Sequence, residues 1–152
     1  MAISRGSGTE IIRCQHFKDI DANGKIIIIG EQHHIYTILN ITIYMQATQT
    51  AGTNVFKMRF TGYDAYAGAT AQQFFLLNEL IVVGKTFVWN DKLSFNGFEP
   101  ADFASGALTA VKQNAIADQG SSPGVAQFIE CYSTHVDDVC EVHITYIDQN
   151  NA

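Results

Sequence analysis

The stretch His34–Thr48, HIYTILNITIYMQAT, alternates side chains with a period of two. Ile35, Thr37, Leu39, Ile41, Ile43 and Met45 fall on one side; Tyr36, Ile38, Asn40, Thr42, Tyr44 and Gln46 fall on the other. A helix repeats every 3.6 residues and scatters these two sets around its circumference. An extended strand keeps them apart, so the stretch reads as a long antiparallel strand with a core face and a half-polar face. The apolar face of such a strand must be buried against another layer.

The rest of the sequence supplies one. NVFKMRF places Phe56, Met58 and Phe60 inside, with Lys57 and Arg59 outside. QQFFLLNE (Gln72–Glu79) is apolar on both faces, as expected of a central or an interface strand. Pairs of strand-like runs flank turn-forming residues at KDIDANG, QTAGTN, ND (Asn90–Asp91) and THVDD, and each pair reads as a hairpin. About nine strands at this spacing predict an all-β antiparallel β-sandwich, jelly-roll-like. The stretch 102–119 breaks the pattern. Phe103, Ala107, Leu108, Val111 and Ala115 there line one helix face, and a long loop over the sandwich fits equally. The organisation expected is an N-terminal arm at 1–9, one sandwich domain at 10–148 and a tail at 149–152.

Composition limits the function. Of 152 residues only 16% are charged while 47% are hydrophobic, and the net charge is -6 with a pI near 5.2. No basic cluster exists to meet phosphates, so nucleic acid is not an expected partner. The longest apolar runs, such as Ile26–Ile29, are far too short to span a bilayer, and MAISRGSGTE lacks the apolar core of a secretory signal. No membrane association is expected. Cys14, Cys131 and Cys140 form no framework pattern and read as reduced thiols. Cys131 and Cys140 also flank the last turn, where a cross-hairpin bond is geometrically open. Low charge content leaves outer surface to be buried against another subunit.

Several stretches resemble chemical motifs. DIDANGKIIIIGE starts like a calcium loop, with Asp19, Asp21, Asn23 and Gly24 in place, but Gly30 stands where the closing carboxylate belongs and Glu31 comes one residue late. Its flanks are strand-like, so Asp19, Asp21 and Asn23 read as a turn, with a weak claim on a cation. GKT at Gly84–Thr86 lacks the earlier glycine of a phosphate loop, because that position is Glu79. STHVDDVCEVH gathers His135, Asp137, Asp138, Cys140 and His143, but the first three belong to a turn in water, and Cys140 and His143 have opposite parity. Adjacent His33 and His34 point to opposite faces. NIT at Asn40 lies mid-strand and is discounted as a sequon. No nucleophile–base spacing and no paired carboxylates stand out. The expectation is a binding or structural protein without catalytic residues or cofactor.

The order of segments carries a resemblance. IYTILNITIYMQA, then TNVFKMRFTGYD, then LLNELIVVGKTFVWNDKLSF and a closing QFIECYS…CEVHITYI resemble small β-sandwich virion proteins of tailed bacteriophages over residues 30–147. The Gly84–Phe95 segment matches the turn and strand that follow in that class. The Ala-rich stretch 102–119 and the extra N-terminal hairpin depart from it. The resemblance implies a virion location after synthesis in the host cytoplasm. It also implies a head decoration (cement) or tail/neck role, with the major capsid protein or other virion proteins as partners. A homo-oligomer is expected, with a threefold arrangement favoured on a capsid lattice. Contact candidates are Ile3 and Arg5 on the arm, Phe75 and Leu77 on QQFFLLNE, and Tyr63 and Tyr66 in TGYDAYAGAT. A carbohydrate-binding module is the second expectation, using Tyr63, Tyr66, Trp89 or Tyr132; a small enzyme is the third.

Overall fold

The computed structural model describes residues 8–62, 72–99 and 126–150. Nine strands follow one another: β1 (Glu10–Ile20), β2 (Lys25–Ile29), β3 (His34–Ala47), β4 (Val55–Gly62), β5 (Gln72–Leu80), β6 (Thr86–Trp89), β7 (Leu93–Asn96), β8 (Phe128–Ser133) and β9 (Val139–Asn150). Among the described residues there is no helix, so none long and apolar enough to cross a membrane. The stretch 102–119 and the arm at 1–7 lie outside the described residues.

The strands form two antiparallel sheets. Sheet A runs β1-β9-β3-β6, with β7 also on β3, and sheet B runs β2-β8-β4-β5. β6 and β7 pair in line along β3, Thr86–Trp89 against Ile41–Tyr44 and Leu93–Asn96 against Ile35–Ile38. Counting them as one strand, β1, β9, β3 and β6–β7 of sheet A are followed or preceded in the chain by β2, β8, β4 and β5 of sheet B, in the same order. That pairwise winding of one chain through both layers is the jelly-roll arrangement.

Three of the four expected hairpins are therefore corrected to arches. KDIDANG, QTAGTN and THVDD each carry the chain from one sheet to the other. The fourth, at Asn90–Asp91, is an interruption in a single line of pairing, where Asn40 donates its side-chain amide to Asn90 Oδ1 at 2.6 Å. Turn residues dictate that the chain changes direction; they do not dictate which layer it enters. With apolar faces on both flanking strands, arches bury as much as hairpins do.

The core face of β3 is also corrected. Ile41, Ile43 and Met45 are buried as expected, but Ile35 and Leu39 are only half-buried, and Tyr36 and Ile38 take their place. The pairing with β9 steps from Ile38↔Tyr146 to Asn40↔Thr145, leaving Leu39 as the extra residue of a bulge. A bulge shifts parity by one, so the strand presents even-numbered residues inward before it and odd-numbered residues after it. Phe56 and Met58 are fully buried, and Phe60 packs against the core with Phe95 5.0 Å away, as T-shaped rings. QQFFLLNE forms an edge strand, not a central one, because β5 pairs only with β4 among the described residues.

Candidate docking face

Strand parity decides what sheet B shows to its outside. Phe56, Met58, Ile129 and Cys131 point inward and are fully buried. Their neighbours Lys57, Arg59, Glu130 and Tyr132 consequently point outward. The register sets Ile26, Glu130, Arg59 and Phe75 in one row across β2, β8, β4 and β5. Arg59 is the hub of that row. Its Nε donates to Glu130 Oε1, its Nη1 donates to Gln73 Oε1 at 2.9 Å, and its guanidinium carbon lies 5.1 Å from the Tyr132 ring centre. Lys57 Nζ sits between two rings, 5.6 Å from Phe75 and 6.0 Å from Tyr132. Such contacts hold flat side chains in fixed orientations.

Around this cation–aromatic cluster the face stays apolar and open. Ile26 and Ile29 are 47% and 59% exposed, and Phe75 and Leu80 are 47% and 49% exposed. The outside of sheet A has a different character. Cys14, His16, Thr37, Asn40, Thr42, His143 and Thr145 alternate there, although Ile12, Tyr44 and Val88 are also exposed. His16 Nε2 lies 3.1 Å from Glu141 Oε2 on that side. A preordered patch rich in Arg, Tyr and Phe, bordered by aliphatic residues, is chemically suited to burying protein surface.

A cleft of about 490 Å³ opens at the β1/β2 edge. Ile26, Ile27, Ile28 and Ile29 form one wall, and Arg13, Phe17, Tyr36 and Tyr146 line the rest. At its end Asp148 is buried and accepts from Arg13 Nε at 2.8 Å; its Oδ1 is 2.6 Å from His34 Nδ1. Burial alone would lower the basicity of Arg13, but the Asp148 carboxylate outweighs it and the net direction is upward. Burial, reinforced by Asp148, holds the Tyr36 phenol well above its usual range, and its oxygen accepts the Glu31 N–H at 3.1 Å. The polar groups at the cleft end are thus committed to one another.

The remaining candidates fall as follows. Asp21 closes an Asx turn: its Oδ1 accepts the Asn23 N–H at 2.8 Å, its Oδ2 accepts from Asn23 Nδ2 at 3.1 Å, and its carbonyl accepts the Gly24 N–H at 3.1 Å. Gly24 has φ +70, and a Cβ there would stand 3.1 Å from Cβ of Tyr132, so the turn needs glycine. Asp19 has φ 53 and sits beside this turn. Among the described residues no three His, Cys, Asp or Glu side chains are grouped to hold a metal ion. Asp138, expected in water at a turn, is buried. It accepts from Thr48 Oγ1 and the Gln49 N–H at 3.0 Å, from Asn54 Nδ2 at 2.8 Å, and from the His135 N–H at 3.2 Å. His135 and Asp137 do remain at the surface of that arch. Cys140 points inward and His143 outward, as parity required. Cys131 and Cys140 are free buried thiols. Burial pushes Cys140 up to about 12, aided by Asp138, and Cys131 higher still.

Of the contact candidates, Phe75 lies on the docking face, whereas Leu77 turns inward and is buried. Ile3, Arg5, Tyr63 and Tyr66 lie outside the described residues. Trp89 is partly buried and packs against the core, and the Tyr132 ring has Lys57 Nζ 6.0 Å and the Arg59 guanidinium carbon 5.1 Å from its centre. Strand parity alone sets Lys57 and Arg59 outside, but their joining with Glu130 and Tyr132 has no signal within one segment, because only the β4–β8 register brings them together.

No family model matches the chain, and no curated protein matches it. Among solved structures it is similar to a chain of the disulfide-linked pili of Bacillus endospore appendages, with a TM-score of 0.42 and 8% identity over 100% of this chain and 96% of that one. A likeness at that level carries no argument about function.

Proposed function

We propose that the chain is a non-enzymatic structural protein of a bacteriophage virion. In this reading it is a decoration protein that seats the outer face of sheet B on the major capsid protein. The observation that carries the reading is the unequal exterior of the sandwich. Sheet B presents Ile26, Ile29, Phe75 and Leu80 around a fixed Lys57–Tyr132–Arg59 cluster, while the outside of sheet A is largely hydroxyls, amides and imidazoles. The complementary partner surface is apolar and bordered by carboxylates that meet Lys57 and Arg59. The commitment of Asp138 and Asp148 to structural bonds, and of the buried thiols to their protons, supports a role without catalysis. Ile3 and Arg5 add a second contact in this reading, made by the arm.

The test mixes the protein with phage heads that lack it and pellets them. Wild type should co-sediment, and the double variant Ile26→Asp/Ile29→Asp should bind at least about tenfold more weakly while melting normally. Failure of wild type to pellet with heads, or undiminished binding of the variant, would overturn the reading. A tail or neck location would appear as binding to tails in place of heads.

A further inference from the structure

The strands that border each sheet differ in how they discourage an added strand. β1 aims Arg13 inward onto Asp148, β2 has only five residues, and the β6–β7 line is broken after four. Inward charges and short segments are common protections of an open edge. β5 is nine residues long, carries no Lys, Arg or Pro, and has Glu79 as its single charge. Phe74 is 64% exposed on it, more than Phe75 or Leu80. A long apolar edge of this kind is a template for another strand.

We infer that the edge of β5 that pairs with no strand among the described residues joins, over Gln73–Leu80, β5 of a second copy in antiparallel fashion, across a twofold axis at the Leu76–Leu77 peptide, so that the two B sheets become continuous. The register follows from the bulge. Met58 pairs with Leu77 and Arg59 with Phe75, leaving Leu76 as the extra residue. Inner and outer positions exchange there: Gln73 and Phe75 face out before it, Asn78 and Leu80 after it. Opposed residues in a pair must share a face. One register satisfies this along the strand, setting Phe75 opposite the partner's Asn78, Gln73 opposite its Leu80, Phe74 opposite its Glu79, and Leu76 opposite its Leu77. A slip of one residue puts outward side chains against inward ones. The two Glu79 carboxylates end at opposite ends of the contact, so no like charges meet.

A twofold edge suits an antiparallel strand because the strand is its own complement. It favours an even-numbered oligomer over the threefold one expected from sequence. Roughly eight residues a side is well below the 20–30 of a standard interface, so dimer and monomer exchange with concentration.

The isolated protein tests this, independently of any phage particle. Sedimentation should show a concentration-dependent dimer, weakened at least about tenfold by Phe74→Glu, a change at an exposed position that sets a like charge opposite the partner's Glu79. A cysteine test fixes the register even where that variant folds poorly. In a Cys14→Ser background, Phe75→Cys with Asn78→Cys is oxidised; the two thiols are about 10 Å apart on one strand, too far for an intrachain bond. Covalent dimers should form, and the mismatched pair Phe75→Cys with Glu79→Cys should form about tenfold fewer. A wild type that stays monomeric at its highest soluble concentration would overturn the proposal. So would a dimer indifferent to Phe74→Glu in a folded variant, or equal yields from the two cysteine pairs.

Discussion

Asn54 donates its side-chain amide to Asp138 at 2.8 Å across 84 positions of sequence, inside the protein. The bond joins the arch that carries β3 into β4 to the arch that carries β8 into β9. Two crossings between sheets are thereby fixed by one carboxylate, which also accepts from Thr48, Gln49 and His135.

Asp138→Ala should therefore destabilise the fold by about 2–4 kcal/mol, because it strands several buried donors. In a domain of this size that corresponds to a melting decrease of roughly 5–15 °C. Burial alone would raise the Asp138 pKa, but the bonds from Asn54, Gln49 and Thr48 lower it below the ordinary value. A carboxyl with a depressed folded pKa contributes stability above its unfolded pKa, and the contribution is lost as pH falls through the folded one. Wild type should lose stability on acidification below roughly pH 4, and Asp138→Ala should lose less over the same interval. Parallel acid melting curves for the two proteins would count against this role.

The bulge at Leu39 makes a separate claim. Ile41→Ala should cost about 2–5 kcal/mol, whereas Leu39→Ala should cost roughly 1–2, although both side chains fall on one face of a regular strand. Denaturant midpoints at unchanged slope measure the difference. Equal costs would mean that β3 runs without a parity change.

How far the sequence reveals this fold depends on whether a signal is local. The period of β3 and the apolar positions of β4 identify strands and a sandwich, because alternation is written within single segments. The bulges at Leu39 and Leu76 leave no such trace, since each is defined only by a partner strand. The same holds for the arches: KDIDANG and THVDD announce a reversal, and the layer that receives the chain is set by what β8 and β9 pair with. Asp138 and Asp148 were unreadable as buried anchors because their partners, Asn54 and Arg13, are distant in sequence. Outward Lys57 and Arg59 were legible from parity alone, but their cluster with Tyr132 was not.

Thiol chemistry offers a third expected outcome. Cys14 is exposed, while Cys131 and Cys140 are buried. A disulfide reagent should titrate one thiol in the native protein and three after denaturation. Burial raises the Cys140 pKa to about 12, and that of Cys131 further, so the native count should stay at one up to roughly pH 10. A thiol pKa raised by folding also makes stability fall as pH climbs from about 8.5 toward the folded value, because the unfolded chain ionises first. Two or three fast-reacting thiols at neutral pH would contradict the packing between the sheets.

The turn at Asp21 gives the last. Both of its carboxylate oxygens accept from Asn23, and its carbonyl accepts the N–H groups of Gly24 and Ser133, the latter at 3.0 Å. The turn therefore serves as a bracket between the β1–β2 arch and the end of β8. Asp21→Ala removes the side-chain half of that bracket and should cost about 1 kcal/mol, the usual scale for a local bond of a side chain to the backbone. A cation held by Asp19, Asp21 and Asn23 would behave differently. At a hundred times its Kd it would add about 2.7 kcal/mol to stability, enough to raise the melting temperature by several degrees. Melting in a chelator and in excess calcium should therefore coincide for wild type and for Asp21→Ala. A calcium-dependent rise that disappears in Asp21→Ala would show that the loop binds a cation after all.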